Sequence, residues 1–353
     1  MLTDALLLDR SLSLRNGPRD VPEPQPGEVV VRVEWAGVSA RDLHVLRTGD
    51  RVAHWPATLG HEVAGTVENC PGGELPAGRR VVIDSRVPCE NCAGCAAKPV
   101  RCERLARVGE ARPGGFAGHL LMAAGRVVAC PDSLEAAVAV LAEPLAVAMH
   151  ALGRVPGPPE RAAILGYGPV GALVHLEISR QWPETETAVV EPVASRRELA
   201  RALGAGVTSR EELEARNAGR RPRLVVDAAG YPGALADALA LCEDGGTVLA
   251  LAPERGGLGP PGSGVSPGGA VSPRAGTGRE PAKIVPDLLA GRGLMVAGST
   301  GFSGELADAV AALSSDPERY RPVVTESVLL DEAPSRLREL LESPSAGKVL
   351  IRP

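Results

Sequence analysis

RAAILGYGPVGALVHLEISR, residues 161–180, decides how this chain folds. An apolar run, AAIL, leads into three glycines, Gly166, Gly168 and Gly171, and then into a segment with helical spacing. The first glycine allows a tight turn, the second lets a backbone approach a pyrophosphate, and the third permits close packing of helix on strand. Gly166, Gly168, Pro169, Val170 and Gly171 therefore form a turn whose following helix start offers free N–H groups to an anion. A second apolar run, TAVVEP, ends in Glu191, twenty residues after Gly171. A carboxylate there accepts both ribose hydroxyls of NAD and repels a 2′-phosphate. Arg196 and Arg197 lie just beyond and make NADP the second candidate. Arg196 is expected to flank the adenine and Arg197 to be solvated.

Outward from this turn, apolar strands alternate with helical segments at residues 162–166, 187–192, 223–230, 246–252 and 293–298. That alternation predicts a parallel sheet with helices on both faces, an α/β doubly wound domain. The N-terminal part differs. GEVVVRVEW (27–35), HEVAGTVE (61–68), RRVVIDS (79–85) and HLLMAAGRVVAC (119–130) are short strands separated by Gly and Pro turns, a β-rich domain. Residues 133–152 carry helical spacing broken only by Pro144. Residues 254–281 are almost all Gly, Pro, Ser, Ala and charge, and read as a flexible surface insertion.

At 353 residues two domains are expected. The net charge of -5 leaves no basic surplus to displace counterions from phosphates, and three Trp, three Tyr and two Phe build no base-stacking platform. Nucleic acid is thus not an expected partner. No run approaches the ~20 apolar residues of a membrane span, and MLTDALLLDR is too short for a signal-peptide core. A reducing, cytoplasmic compartment is expected, in which seven cysteines mean metal or buried thiols. CENCAGCAAKPVRC sets Cys89, Cys92, Cys95 and Cys102 within fourteen residues, which suits a closed structural zinc site. Cys70, Cys130 and Cys242 are isolated and read as core filler.

Taken in order, these segments resemble the zinc-dependent medium-chain dehydrogenase/reductases, the superfamily of alcohol, polyol and threonine dehydrogenases. PEPQPGEVVVRVEWAGV, GHEVAGTVE, the four-cysteine lobe, GGFAGHLLMAAGRVVACPDSL, AEPLAVAMHAL, GYGPVG and a closing AGKVLIRP carry the resemblance nearly end to end. It implies a GroES-like β-barrel catalytic domain over 1–151 and 302–353, with the zinc lobe at 86–104, and a Rossmann domain over 152–301. It implies an NAD(H)-dependent oxidoreductase that interconverts a secondary alcohol and its ketone. The AEPL segment points to polyols, sugars or cyclitols, and the family to a homodimer or homotetramer. His61, Glu62 and Glu143 match ligands of a catalytic zinc.

GVSARDLH departs from the family pattern: Ser39 stands where the family has Cys, and Arg41 where it has Ser or Thr, while Asp42 and His44 keep the pattern. A neutral hydroxyl binds zinc far more weakly than a thiolate. Two further readings follow. In one the chain is a zinc-free reductase of enones or quinones, with Arg41 supplying positive charge at the substrate oxygen. In the other it binds nucleotide without catalysis.

Overall fold

The computed structural model describes residues 1–97, 102–216, 220–252 and 286–353. The insertion expected over 254–281 lies outside the described residues. The chain divides into two compact units, one of Met1–His150, Ala172–Leu176 and Gly301–Pro353, the other of Ala151–Gly171 and Glu177–Thr300. The grouping of Ala172–Leu176 with the first unit has no counterpart in the sequence reading.

The first unit is built on a seven-stranded sheet. Its path runs Val324–Leu329, Lys348–Arg352, Glu28–Gly37, Glu62–Asn69, Arg80–Ile83, Val127–Ala129, and His119–Ala123 also pairs with Glu28–Gly37. The last strand of the chain thus lies beside one of the first, Leu350 opposite Gly37 and Ile351 opposite Ala36. Alternation along the sheet buries Val29, Val31, Val33, Ile83, Leu120 and Ile351 in one core with Phe116. The single strand expected at 119–130 is two strands, split by a 3-10 turn at Ala124–Arg126. The turn lets His119–Ala123 pair with one neighbour and Val127–Ala129 with another. A hairpin of Leu2–Leu8 and Leu14–Asp20 precedes this sheet.

The second unit holds a six-stranded sheet, parallel throughout, in the order Gly206–Val207, Glu186–Val190, Arg161–Leu165, Leu224–Asp227, Thr247–Ala250, Met295–Gly298. The strand order reverses at Arg161–Leu165, the place where such sheets bind ligands beyond their carboxyl ends. Ala162 to Leu165 are all buried, as in a strand covered on both faces. Ala238, Leu239, Leu241 and Cys242 join Val225 and Val248 in this unit's core. Cys130 and Cys242 are buried as expected, whereas Cys70 is half-exposed and its thiol faces Glu74 at 3.2 Å. No helix among the described residues is long and apolar enough to cross a membrane.

Gly171 explains why the turn after Arg161–Leu165 is tight. A Cβ built there would stand 2.2 Å from the carbonyl oxygen of Gly166, a backbone atom that cannot swing aside. Gly171→Ala is expected to lower stability by about 1–3 kcal/mol, the usual scale of overpacking. Urea unfolding followed by circular dichroism measures this, and an unchanged midpoint would contradict the packing described.

Candidate active site

The first unit's site starts from a helix cap. Ser39 caps the helix Ala40–Thr48 in a capping box with Asp42. Its hydroxyl donates to Asp42 Oδ2 at 2.6 Å and accepts from the amides of Arg41 and Asp42 at 3.2 and 3.1 Å. One donor and two acceptor positions are all a serine hydroxyl has. Ser39 is therefore spent on the cap and offers no lone pair to a metal.

The cap fixes Asp42, which is buried. Asp42 Oδ1 accepts the amide of Gly60 at 3.1 Å and lies 3.6 Å from His61 Nδ1. Burial alone would raise its pKa; the adjacent His61 and the hydrogen bonds of Ser39 outweigh burial and hold it low. The same pairing works on His61. Burial disfavours the imidazolium, but Asp42, with Glu143 and Glu62 nearby, raises the imidazole's pKa. With Nδ1 turned to a carboxylate, Nε2 is the nitrogen left to a ligand.

Glu62 follows at the start of its strand. Gly37 stands opposite in the sheet, and a Cβ there would come within 2.3 Å of Glu62 Oε2, so a larger residue would push the carboxylate from where it lies. Lys348 reaches the same oxygen at 2.5 Å and donates also to the carbonyl of Val38 at 3.2 Å. Lys348 is 2% exposed and Glu62 3%. Burial raises the pKa of Glu62, and the ammonium of Lys348 opposes it. Glu143 enters from the helix Ala142–Leu152, whose first turn it occupies. Ser85 Oγ and Arg107 Nη1 reach its Oε1 only loosely, at 3.4 and 3.5 Å.

His61, Glu62 and Glu143 each present a ligand atom, all within 4.8 Å of one another and all buried. One imidazole nitrogen and two carboxylate oxygens suit zinc with a position left open, so the donor set fits the metal without help from Ser39. Arg41 does not join this group. Its Nη1 pairs with Glu110 at 2.6 Å. His44 stays apart too, half-exposed and 3.4 Å from Asp50. Lys348, Arg107 and Ser85 carry no motif, and sequence reasoning missed them. The cap that Ser39 forms with Asp42 was missed as well, although a serine three residues before an acid is a capping-box pattern.

In the cysteine lobe Cys89 Sγ lies 3.8 Å from Cys95 Sγ, and Cys92 Sγ 3.5 Å. A tetrahedral shell with metal–sulfur bonds of ~2.3 Å sets its sulfurs about 3.8 Å apart. The amides of Cys89 and Cys95 donate to Cys102 Sγ and Cys92 Sγ at 3.2 and 3.4 Å. Backbone hydrogen bonds lower the pKa of Cys89, Cys92 and Cys102, while burial is the first cause that pushes Cys95 up to about 12. Four sulfurs so spaced fit a structural zinc, whose charge would hold Cys95 as thiolate.

In the second unit Gly166 has φ +88° and Gly168 caps the helix Pro169–Gln181 with Pro169 at its start. Glu191 is buried rather than at a solvent edge. Its oxygens accept the amides of Tyr167 at 2.6 Å and Val193 at 2.8 Å. Each carboxylate oxygen keeps a lone pair for a ribose hydroxyl. Arg196 lies against Gly168, whose ideal Cβ would be 3.7 Å from its Nη1. Arg197 is not left to solvent. It donates to the carbonyls of Glu191 and Pro192. The open turn and the acid beyond it fit a dinucleotide.

Comparisons with known proteins agree with this geometry. Residues 25–132 match the model of the alcohol dehydrogenase GroES-like domain. Sorbitol dehydrogenase of Gallus gallus is 30% identical over 273 residues, 72% of this chain and 75% of that one. D-altritol 5-dehydrogenase of Agrobacterium fabrum is 28% identical over 93% of each chain. A structure described as a zinc-binding dehydrogenase from Sinorhizobium meliloti 1021, bound to NADP, superposes with a TM-score of 0.83 at 26% identity over all of both chains.

Two outcomes are expected from these sites. Cys95→Ser should lose one zinc per chain and lower the melting temperature, because a structural zinc contributes folding free energy. Full metal content and an unchanged melting curve would exclude the four-thiolate shell. Glu191 should make NADH bind at least about tenfold more tightly than NADPH, roughly 1.4 kcal/mol. Fluorescence titration reads the difference, and equal affinities would remove Glu191 from cofactor choice.

Proposed function

Because this chain belongs to the zinc-type medium-chain dehydrogenase/reductase superfamily, we propose that the buried group His61, Glu62 and Glu143 is the centre at which it oxidises a secondary alcohol of the polyol class to a ketone, with NAD(H) as its cofactor. The observation that carries this reading is the convergence of the three donors within 4.8 Å, with Asp42 behind His61.

A zinc held by His61, Glu62 and Glu143 would supply Lewis acidity to the alcohol oxygen, and the dinucleotide held at Gly166–Gly171 would accept the hydride. The chain's own residues do the rest. Asp42 fixes the ring of His61 and leaves Nε2 as the ligating atom. Ser39 and the Gly60 amide fix Asp42 in turn. Lys348 offsets the charge of Glu62, so that two buried carboxylates can lie close without a large repulsion. Glu143 is only loosely held by Ser85 and Arg107, which leaves its oxygen available. Burial of all three donors keeps bulk water from competing with the alcohol. The alternative electrophile, Arg41, is already engaged by Glu110. Seven unpaired cysteines support a reducing compartment, and we place the enzyme in the cytoplasm as a homodimer or homotetramer.

His61→Ala tests the centre. The variant should lose one metal ion per chain and at least about 10²-fold in turnover, while NADH affinity stays within about twofold, since the glycine turn and Glu191 are untouched. Near-normal turnover on polyols would remove the metal centre from the mechanism.

A further inference from the structure

Beside the buried donors stands an arginine with more hydrogen-bond donors than partners, Arg107. Arg107 is 9% exposed. Among the described residues its side chain makes two hydrogen bonds, both from Nη1 and both long, to Ser85 Oγ at 3.4 Å and Glu143 Oε1 at 3.5 Å. A guanidinium carries five N–H donors. Arg41 spends Nη1 on Glu110 and is 31% exposed along its side chain. Burial is the first cause that disfavours charge on Arg107; Glu143 and Glu110 oppose it, and Arg41 and Arg86 add to it.

The local charges identify the one that lacks its own partner. Lys348 has Glu62, Arg86 has Asp84 and Arg41 has Glu110. Among the described residues Arg107 has only Glu143, which is also one of the three donors turned toward a cation. A guanidinium does not release its proton in a protein. When Glu143 serves a cation, Arg107 is left buried and charged with no carboxylate at ion-pair distance to itself among the described residues, a costly state.

We propose that Arg107 receives an anionic group on the substrate, so that the alcohol oxidised is a polyhydroxy compound bearing a carboxylate or a phosphate monoester rather than a neutral polyol. The planar fork of a guanidinium matches both groups in two-point hydrogen bonding. This builds on the dehydrogenase reading and narrows its substrate class.

Initial rates of the wild-type holoenzyme with NAD are measured on three panels of matched carbon skeleton: alditols, aldonates and alditol phosphates. The best anionic substrate should exceed its neutral counterpart by at least about tenfold in kcat/KM. The panel to which it belongs tells carboxylate from phosphate. Arg107→Gln should raise KM for the anionic substrate at least about tenfold, with a smaller change in KM for the neutral one, and Arg107→Lys should recover part of the loss. Neutral polyols turned over as well as the acids, or equal KM changes for both, would overturn the anion site and leave the dehydrogenase reading standing. If Arg107→Gln does not fold, the wild-type panels and Arg107→Lys decide alone. No turnover on any panel, with NADH still bound, would instead contradict the dehydrogenase reading. The wild-type melting temperature then decides: a rise with aldonate or phosphate but not with alditol upholds the anion site, and no such rise overturns it.

Discussion

The carboxylate of Asp42 is the constraint on which the candidate active site depends. It closes the capping box of the helix Ala40–Thr48, takes the Gly60 amide, and stands behind His61. Each contact serves a different level of structure: a helix end, the loop that enters a strand, and the orientation of a ring. An unpaired carboxylate this deeply buried would be strongly disfavoured, so its partners and its position fix one another. The ring orientation of His61 is thus a consequence of local backbone geometry in the GVSARDLH segment.

That segment also alters how the replacement of Cys by Ser is understood. Judged by metal chemistry alone, Ser39 is a lost ligand. In the structure it is a helix cap whose hydroxyl is fully used, and the three donors that converge are drawn from other segments. Glu62 and Glu143 bring two negative charges into a place with little water, and Lys348 and Arg107 bring two positive ones. The pairs differ. Lys348 holds Glu62 at 2.5 Å, while Arg107 meets Glu143 at 3.5 Å. One carboxylate is firmly balanced and the other loosely, which leaves Glu143 freer to serve a ligand.

Much of the fold was legible because its signals are local. Gly166 to Gly171 sit between a strand and a helix, and the geometry they need is set within six residues. The cysteine spacing likewise confines four sulfurs to one loop. The split of 119–130 into two strands was hidden, because the break depends on which neighbours each half pairs with. The burial of Glu191 was hidden for a similar reason, since its partners are backbone amides that no side-chain pattern announces. Lys348 lies 286 residues from Glu62, and Arg107 36 from Glu143. No periodicity links such pairs; only the antiparallel pairing of the chain's last strand with Glu28–Gly37 brings Lys348 in. At Ser39 one residue carries two patterns, a replaced thiolate and the first position of a capping box, and the structure realises the second.

A working metal centre at His61, Glu62 and Glu143, alongside the cysteine lobe, is what we propose. Metal content of the purified wild-type protein, measured by mass spectrometry after dialysis against zinc and then against metal-free buffer, tests it most directly. Two ions per chain are expected, one of them removed by a mild chelator while the fold persists. A single ion per chain, retained by the cysteine lobe, would contradict it.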